Sequence, residues 1–145
     1  MYGQHIRTVD DKNRVVLPPV FKDYLGSSFY ITLGFDNNFE LRSVQNFQEY
    51  NQKLQSKSQF NSKVRHLTRI IMSNVVEVNL DKQGRISLPK FIIDKLAIQK
   101  EVVFVGTGSM IELWSKEGFE AFENLFADGD LAKLAEEISH MKDDE

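Results

Sequence analysis

The sequence predicts an α+β fold with a mainly β core, built from two tandem units that pack into one body and carry flanking helices. The first observation is a repeat: the stretch DDKNRVVLPP, which begins at Asp10, recurs as DKQGRISLPK from Asp81. The second is that the same succession of strand-like and helix-like segments follows each copy. The third is length, because half of a 145-residue chain gains a sufficient core only by packing against the other half.

The repeat extends well beyond these ten residues. Residues 9–25 and 80–96 are identical at six of seventeen positions. After one inserted residue, FELRSVQNF from Phe39 matches IELWSKEGF from Ile111 at four of nine. We therefore predict two copies of one unit, at residues 1–72 with a helical extension and at residues 73–145 with a helical, acidic C-terminal extension.

Each unit begins with two strands around a tight, charged turn. The aspartate that opens the turn can accept a backbone N–H, and Gly84 can adopt a positive φ without steric penalty. Asn13 occupies the equivalent position in the first unit, and asparagine is the next most tolerant residue there. The first strands are predicted at QHIRTV and VVEVNL, and the return strands at RVVL and RISL.

A short helix and a hairpin follow each return strand. Pro18 and Pro89 end the strands and start the helices. The hairpins turn at FDNN and TGSM, and an amphipathic helix comes next, capped by Ser43 or Ser115. The apolar faces of these helices comprise Val44, Phe47, Tyr50 and Leu54 in the first, and Phe119, Phe122 and Phe126 in the second.

Two more helices are predicted outside the repeated segments. The helix NSKVRHLTRIIM ends the first unit, and a final helix begins at Asp130, which we expect to cap it. The terminal HMKDDE is expected to fray. The residues expected to face inward from the first of these helices are Val64, Leu67, Ile70 and Ile71, and the final helix carries Leu131, Leu134 and Ile138.

Composition excludes some classes of protein. The chain has no cysteine, which removes disulfides and thiolate metal sites and suits a reducing cytosol. No apolar run approaches membrane-spanning length, and the polar N-terminal residues lack the hydrophobic segment of a signal peptide. We expect a cytoplasmic protein without a membrane partner.

The net charge of −3 hides an asymmetry between the two halves. Residues 1–72 carry ten Lys/Arg against six Asp/Glu, whereas residues 73–145 carry eight against fifteen. From Glu117 onward there are ten acids and two lysines, so the remainder of the chain is positive. Because a phosphate partner responds to the local field, the overall negative charge does not exclude nucleic acid.

The sequence resembles the MraZ family. The resemblance rests on the opening MYG, on DDKNR with VVLP, on RHLTRIIMS, on DKQGRISLP and on the closing IELW, and it extends to about Phe126. Two positions depart from the usual pattern: Asn13 stands where the family usually has glycine, and SNVV precedes the second strand where a small residue is commoner.

The resemblance implies a fold and a function. It implies two tandem AbrB-like swapped-hairpin units forming one pseudo-symmetric barrel, and a ring-shaped homo-oligomer. It also implies a bacterial transcriptional regulator that binds G-rich direct repeats in double-stranded DNA, at a promoter of the division and cell-wall gene cluster, and a nucleoid-associated location. By the same resemblance, the DNA-contacting residues lie in the D-x-x-x-R turns, which here are Asp10 with Arg14 and Asp81 with Arg85.

The residues of the turns support this function on physical grounds. An arginine held by a rigid turn has little entropy to lose on binding, and its two parallel donors match the O6 and N7 acceptors of guanine. Lys12 and Lys82 lie in the same turns and can reach phosphates. We expect Asp10 and Asp81 to shape the turns and orient the arginines, because a carboxylate repels phosphate. The alternative interpretation of each Asp–Arg pair is a surface ion pair that stabilises its own turn. Because the motif occurs twice, we favour a role in DNA binding.

Other candidate sites are weaker. Arg65 and Arg69 with His66 could form a phosphate stripe, although a solvated helix face is the simpler interpretation. GTGS lacks the third glycine and the helix of a phosphate loop and is predicted to be a turn. The three histidines, His5, His66 and His140, are scattered, so no metal site is predicted. Trp114 is predicted to lie in the core or at a subunit interface.

Two rival functions remain open. No nucleophile is paired with a base in the sequence and no carboxylate couple has a catalytic context, so we predict no enzyme, no cofactor and no small-molecule substrate. The second rival is an oligomeric protein-binding or scaffold module without specific DNA binding. Binding to repeated G-rich duplex DNA distinguishes the regulator from both.

Overall fold

The fold is described by a computed structural model for residues 1–126 and 129–141, which contain eight strands and six helices in the order ββαββαα, repeated twice. The strands are β1 Tyr2–Thr8, β2 Arg14–Val16, β3 Ser28–Leu33, β4 Phe39–Ser43, β5 Val76–Asn79, β6 Arg85–Ser87, β7 Glu101–Thr107 and β8 Ile111–Ser115. The helices are α1 Pro19–Leu25, α2 Val44–Gln55, α3 Ser62–Met72, α4 Lys90–Lys95, α5 Lys116–Asn124 and α6 Asp130–Ser139. The α+β class and the repeated element order are as predicted, and none of the helices in the described part of the chain is long and apolar enough to cross a membrane.

The two repeats exchange strands. Six strands form one antiparallel sheet in the order β1-β7-β8-β4-β3-β5, in which the hairpins β3–β4 and β7–β8 are those predicted. Strand β1 of the first repeat pairs with β7 of the second, and β5 of the second pairs with β3 of the first. Each hairpin therefore receives its outer strand from the other repeat, so neither half can complete its sheet alone.

A pseudo-twofold axis relates the repeats. The sheet order reads the same from both ends when β1 is exchanged for β5, β7 for β3 and β8 for β4. The axis passes through the β4–β8 ladder at Glu40, which lies opposite Glu112. The closed barrel implied by the resemblance remains a prediction, because no ladder among the described residues joins β1 to β5.

The prediction that β2 and β6 return along their own first strands is wrong. These two strands pair with each other in a separate antiparallel ladder that sets Arg14 opposite Ser87 and Val16 opposite Arg85. The physical reason is symmetry. At the axis, Val15 lies opposite Ile86, and both side chains are buried in the main core, so the short strands gain more by crossing between repeats than by extending a hairpin.

The main core lies on one face of the six-stranded sheet. It joins β2 and β6 and the short helices α1 and α4 to alternate residues of the sheet strands, as the period of two requires. The neighbouring strand positions point to the opposite face, where α2 and α5 pack. The largest fully buried side chains of the main core are Phe21, Phe29, Phe39, Phe104, Ile31, Leu41, Ile86, Ile92, Ile111 and Leu113.

The outer layer departs from the symmetry. Under α5, Trp114 is buried as predicted and packs with Val103, Val105 and Phe119. The equivalent position under α2 is Arg42, whose guanidinium donates to Thr32 at 2.9 Å and to Glu40 at 3.0 Å. It also lies 3.7 Å from the centroid of the Tyr50 ring. One repeat thus buries an aromatic cluster where the other buries a satisfied cation.

The helix ends agree with the sequence with one exception. Ser43 Oγ accepts from the Asn46 amide at 3.1 Å, and Ser115 Oγ accepts from the Gly118 amide at 2.9 Å, so both predicted caps are confirmed. The predicted cap at Asp130 is wrong by one residue. Gly129 takes the cap position with φ of 97°, which suits glycine, and Asp130 is the first helical residue.

The predicted inward face of α3 is only partly buried. Ile71 is buried, Val64 is half-buried, and Leu67 and Ile70 are 40% and 52% exposed. Leu67 and Ile70 flank the contact side that Val64 and Ile71 occupy, and so they lie at the edge of the buried face. The predicted frayed tail follows α6, and residues 142–145 of it lie outside the described residues.

Candidate nucleic-acid interface

The first turn is organised by one carboxylate. Asp10 Oδ1 accepts hydrogen bonds from the amides of Lys12, at 2.9 Å, and Arg14, at 2.8 Å. Its Oδ2 accepts from Arg14 Nε at 2.8 Å. The backbone closes the same turn, because the Asn13 amide donates to the Asp10 carbonyl at 3.0 Å. One side chain therefore fixes both the backbone path and the direction of the arginine.

The second turn repeats this geometry. Asp81 Oδ1 accepts from the amides of Gln83 and Arg85, both at 2.9 Å, and Oδ2 accepts from Arg85 Nε at 2.7 Å. The Gly84 amide donates to the Asp81 carbonyl at 3.0 Å. Two sequences that share only the aspartate and the arginine thus build the same turn.

The fourth residue of each turn has a left-handed backbone. Asn13 has φ of 59° and Gly84 has φ of 73°. This conformation costs little for glycine and is tolerated by asparagine. The departure from glycine at Asn13 therefore leaves the turn intact.

Hydrogen bonding keeps both turn carboxylates ionised. The Arg14 amide, followed by the Arg14 side chain and the Lys12 amide, lowers the pKa of Asp10 below its ordinary value of 3.8 against a partial opposing effect of desolvation. The Arg85 amide, with the Arg85 side chain and the Gln83 amide, lowers the pKa of Asp81 in the same way. The charged acceptors that hold the arginines therefore persist well into the acid range.

The two turns belong to one site. The Leu88 amide donates to the carbonyl of Asn13 at 2.8 Å, and the Leu17 amide donates to the carbonyl of Gly84 at 3.0 Å. Arg85 Nη1 also approaches Asp10 Oδ2, in the other turn, to 3.9 Å. Together with the β2–β6 ladder, these contacts place Arg14 and Arg85 side by side across the axis. The sequence indicated two separate turns, and the strand exchange that joins them has no local signal.

The arginines present their outer nitrogens. Each Nε is engaged by its own aspartate, which leaves Nη1 and Nη2 as the outer donors, and in Arg85 Nη2 also donates weakly to Gln83 Oε1 at 3.4 Å. The side chains of Arg14 and Arg85 are 28% and 25% exposed, so their stems are packed while part of each remains accessible. Such an arrangement offers preordered parallel donors to a planar acceptor pair.

Lysines lie in or beside the two turns. Lys12 and Lys82 are exposed, as expected for side chains that could reach phosphates. The structure adds Lys22 of α1, which lines an open groove of about 300 Å³ together with Lys82, Gln83 and Gly84. No sequence pattern singles out Lys22, because it lies in the first repeat, whereas the turn beside it belongs to the second.

Three other features that the sequence singles out have structural roles. Arg65 Nη1 donates to the carbonyls of Gln59 and Phe60 at 2.9 and 3.1 Å, so it closes the loop before α3. GTGS forms the β7–β8 turn, as predicted. His5 packs edge to face on Phe21 with ring centroids 5.2 Å apart.

The fold and the site define the class of this protein: a duplicated α+β protein whose two repeats exchange strands and bring one arginine turn from each repeat together. The family and its relatives give the particular assignment. A family model described as "MraZ protein, putative antitoxin-like" matches the chain twice, at residues 2–70 and 71–140. The chain belongs to the MraZ family.

Relatives match over nearly their full length. The chain is 42% identical over 139 residues to the transcriptional regulator MraZ of Mycoplasma mobile, covering 95% of each protein. It is 40% identical over 146 residues to the protein of the same name from Mycoplasmopsis synoviae, covering 98% of this chain and 99% of the relative. A relative so named from Thermoanaerobacter is 33% identical over 141 residues, covering 97% and 98%.

Proposed function

We propose that this protein is a sequence-specific, DNA-binding transcriptional regulator without a catalytic step. The observation that carries the proposal is the pair of arginines, each oriented by an aspartate and held beside the other across the axis. The name of its relatives, transcriptional regulator MraZ, supports the same function. The site residues are Arg14, Arg85, Lys12, Lys82, Asp10 and Asp81, to which we add Lys22.

Each residue type has a distinct role in this proposal. Arg14 and Arg85 donate through Nη1 and Nη2 to the O6 and N7 atoms of guanine in the major groove. The lysines contact phosphates and contribute salt-dependent affinity that does not depend on sequence. Asp10 and Asp81 are positioning residues that orient the arginines. G-rich direct repeats in double-stranded DNA are the targets that suit such donors, at a promoter of the division and cell-wall gene cluster.

The proposed active form is an oligomer in the cytoplasm, associated with the nucleoid. Residues 1–72 and 73–145 form AbrB-like swapped-hairpin units that close one barrel, and several chains form a ring. A single site reads only a few bases. Several sites on one particle can engage successive repeats, and effective concentration then converts modest contacts into tight binding.

The test is equilibrium binding to two duplexes of equal base composition, one with G-rich direct repeats and one scrambled, measured by fluorescence anisotropy. We expect Arg14→Ala and Arg85→Ala each to weaken binding to the repeats by about 5- to 150-fold per contact. Lys53→Ala is the matched control, because it removes one exposed positive charge on α2, away from the turns. Equal affinity of the wild-type protein for both duplexes contradicts the proposal and favours the scaffold alternative.

A further inference from the structure

Helix α6 carries an apolar stripe that the described residues leave exposed. Leu131, Leu134, Ile138 and the following Met141 recur at intervals of three and four residues and so fall on one side of the helix. Leu131 is 75% and Ile138 58% exposed. Because a ten-residue helix is marginal in water by itself, a stripe of this kind indicates a surface that packs against a partner.

Helix α3 carries a second exposed stripe. Phe60, in the turn just before the helix, is 99% exposed, and Leu67 and Ile70, three residues apart, lie on one side of the helix. The helix is anchored to the body through buried Ile71, which lies one turn from Leu67 at the inner edge of this stripe. Helix α3 is therefore packed on the body through Ile71 and still exposes the apolar side chains of Leu67 and Ile70.

The two stripes have opposite charge. Helix α3 contains Lys63, Arg65 and Arg69 and no acid, and the periodicity places Lys63 within its stripe. Helix α6 contains three acids and one lysine, and the periodicity places Glu137 beside its stripe. Contact between two α3 stripes or two α6 stripes brings like charges together, whereas contact between α3 and α6 pairs opposite ones.

We propose that the α6 stripe of one copy of this chain packs on the α3 stripe of a neighbouring copy. The proposal rests on the oligomer of the proposed function and names the surfaces that hold it. The contact is head to tail, so it extends from copy to copy and closes into a ring when the rotation permits. Neither stripe contains a residue of the arginine turns, so assembly leaves those turns available.

The first test uses chains that lack one stripe each, measured by size-exclusion chromatography with light scattering. Ile70→Asp and Leu134→Asp replace exposed side chains, so circular dichroism should show an intact fold. Each variant alone is expected to have the mass of one chain. An equimolar mixture is expected to have the mass of two chains, because the first variant keeps its α6 stripe and the second keeps its α3 stripe. Val44→Asp, which replaces an exposed apolar residue on α2, is the matched control and should assemble as wild type does.

The second test reverses the charges. Lys63→Glu and Glu137→Lys are each expected to lower the assembled fraction, and the chain that carries both changes is expected to recover it. The proposal is overturned if the wild-type protein has the mass of one chain, if Ile70→Asp assembles normally, or if the mixture of the two apolar variants stays at one-chain mass.

Failure of this inference can be told from failure of the proposed function. If the turns bind DNA, a single-chain variant retains weak binding that prefers the G-rich duplex. A wild-type protein that assembles through these stripes and shows no preference contradicts the function and leaves the interface in place.

Discussion

The backbone carbonyl of Asn13 accepts a hydrogen bond from the amide of Leu88 at 2.8 Å, and so the first turn is tied to the second repeat. The mirror contact runs from the Leu17 amide to the Gly84 carbonyl at 3.0 Å. Because the left-handed residue of each turn supplies the acceptor, turn shape and repeat contact depend on the same residue. We therefore expect a change at either position to displace both Arg14 and Arg85.

The conformation of Gly84 gives the first prediction. A Cβ at this position meets no atom within 4 Å, so substitution is opposed only by the left-handed φ of 73°. We expect Gly84→Ala to lower the free energy of unfolding by about 1–2 kcal/mol. Gly84→Asn, which copies the first turn, should cost less, and urea denaturation of the two variants makes the comparison. If alanine and asparagine cost the same, backbone strain is not the reason for glycine at this position.

Asp10→Asn tests whether the carboxylate positions the arginine. The amide oxygen can still accept from the Lys12 and Arg14 amides, but the amide nitrogen cannot accept from Arg14 Nε. We expect the affinity for the G-rich duplex to fall about 2- to 10-fold, because the arginine must then be ordered on binding. Affinity for the scrambled duplex should hold or rise, since a negative charge is lost. Equal losses on both duplexes would mean that Asp10 only maintains the fold.

The low pKa of both turn carboxylates predicts an acid limit to the site. A carboxyl whose pKa is lowered on folding stabilises the native state above its unfolded value, near 3.8, and this contribution is lost as the pH falls through the lower native value. NMR titration should therefore show the carboxylates of Asp10 and Asp81 titrating below the ordinary aspartate value of 3.8. A midpoint for Asp10 at or above 3.8 contradicts the hydrogen-bond geometry.

The central ladder carries a pair of like charges. Glu40 lies opposite Glu112, and burial raises the pKa of Glu40, with the Glu112 charge raising it further and Arg42 opposing both. A raised pKa means that this part of the stability is present below about 4.5 and is lost as the pH rises through the native value. We expect Glu112→Gln to lower the pKa of Glu40 and to raise the free energy of unfolding at neutral pH by about 0.2–1 kcal/mol.

The Glu112→Gln variant keeps an oxygen acceptor for Trp114 Nε1, which donates to Glu112 Oε1 at 3.1 Å. Packing under α5 is therefore conserved, and denaturation at pH 4 and pH 7 isolates the charge. If the free energy of unfolding rises by the same amount at pH 4 as at pH 7, repulsion between Glu40 and Glu112 is not the source of the gain.

Lys22 gives a prediction that only the structure supports. Because Lys22 shares a groove with Lys82, we expect Lys22→Ala to weaken binding to both duplexes alike. The slope of log affinity against log salt should fall in magnitude by about 1, the value for one phosphate contact. An unchanged slope removes Lys22 from the interface.

Local patterns in the sequence predicted the turns, hairpins and helix caps, but they did not predict which strands pair. The Asp–Arg turns, the two hairpins and the caps at Ser43 and Ser115 depend on residues close in the chain, so composition and spacing were sufficient. The pairing of β2 with β6 depends on two segments 71 residues apart that no local period connects. That pairing makes one site from the two turns.

The same exchange of strands explains why the net charge of each half does not predict the charge at the candidate interface. The composition of the two halves predicts positive charge for the first and negative charge for the second. At the interface, Lys22 of the first repeat adjoins Lys82 of the second, so the local field combines both halves. The exposed positions Leu67 and Ile70 were assigned inward for a related reason: helical period identifies an apolar side of a helix but not whether that side meets the core or another chain.

The most direct test replaces both arginines by lysine and measures the ratio of affinities for the G-rich and scrambled duplexes. Lysine keeps the positive charge but removes the two parallel donors. If Asp-oriented guanidinium groups read guanine, the double variant Arg14→Lys with Arg85→Lys binds both duplexes with one similar affinity, close to that of the wild-type protein for the scrambled one. A double variant that still prefers the G-rich duplex as strongly as the wild-type protein does contradicts the account.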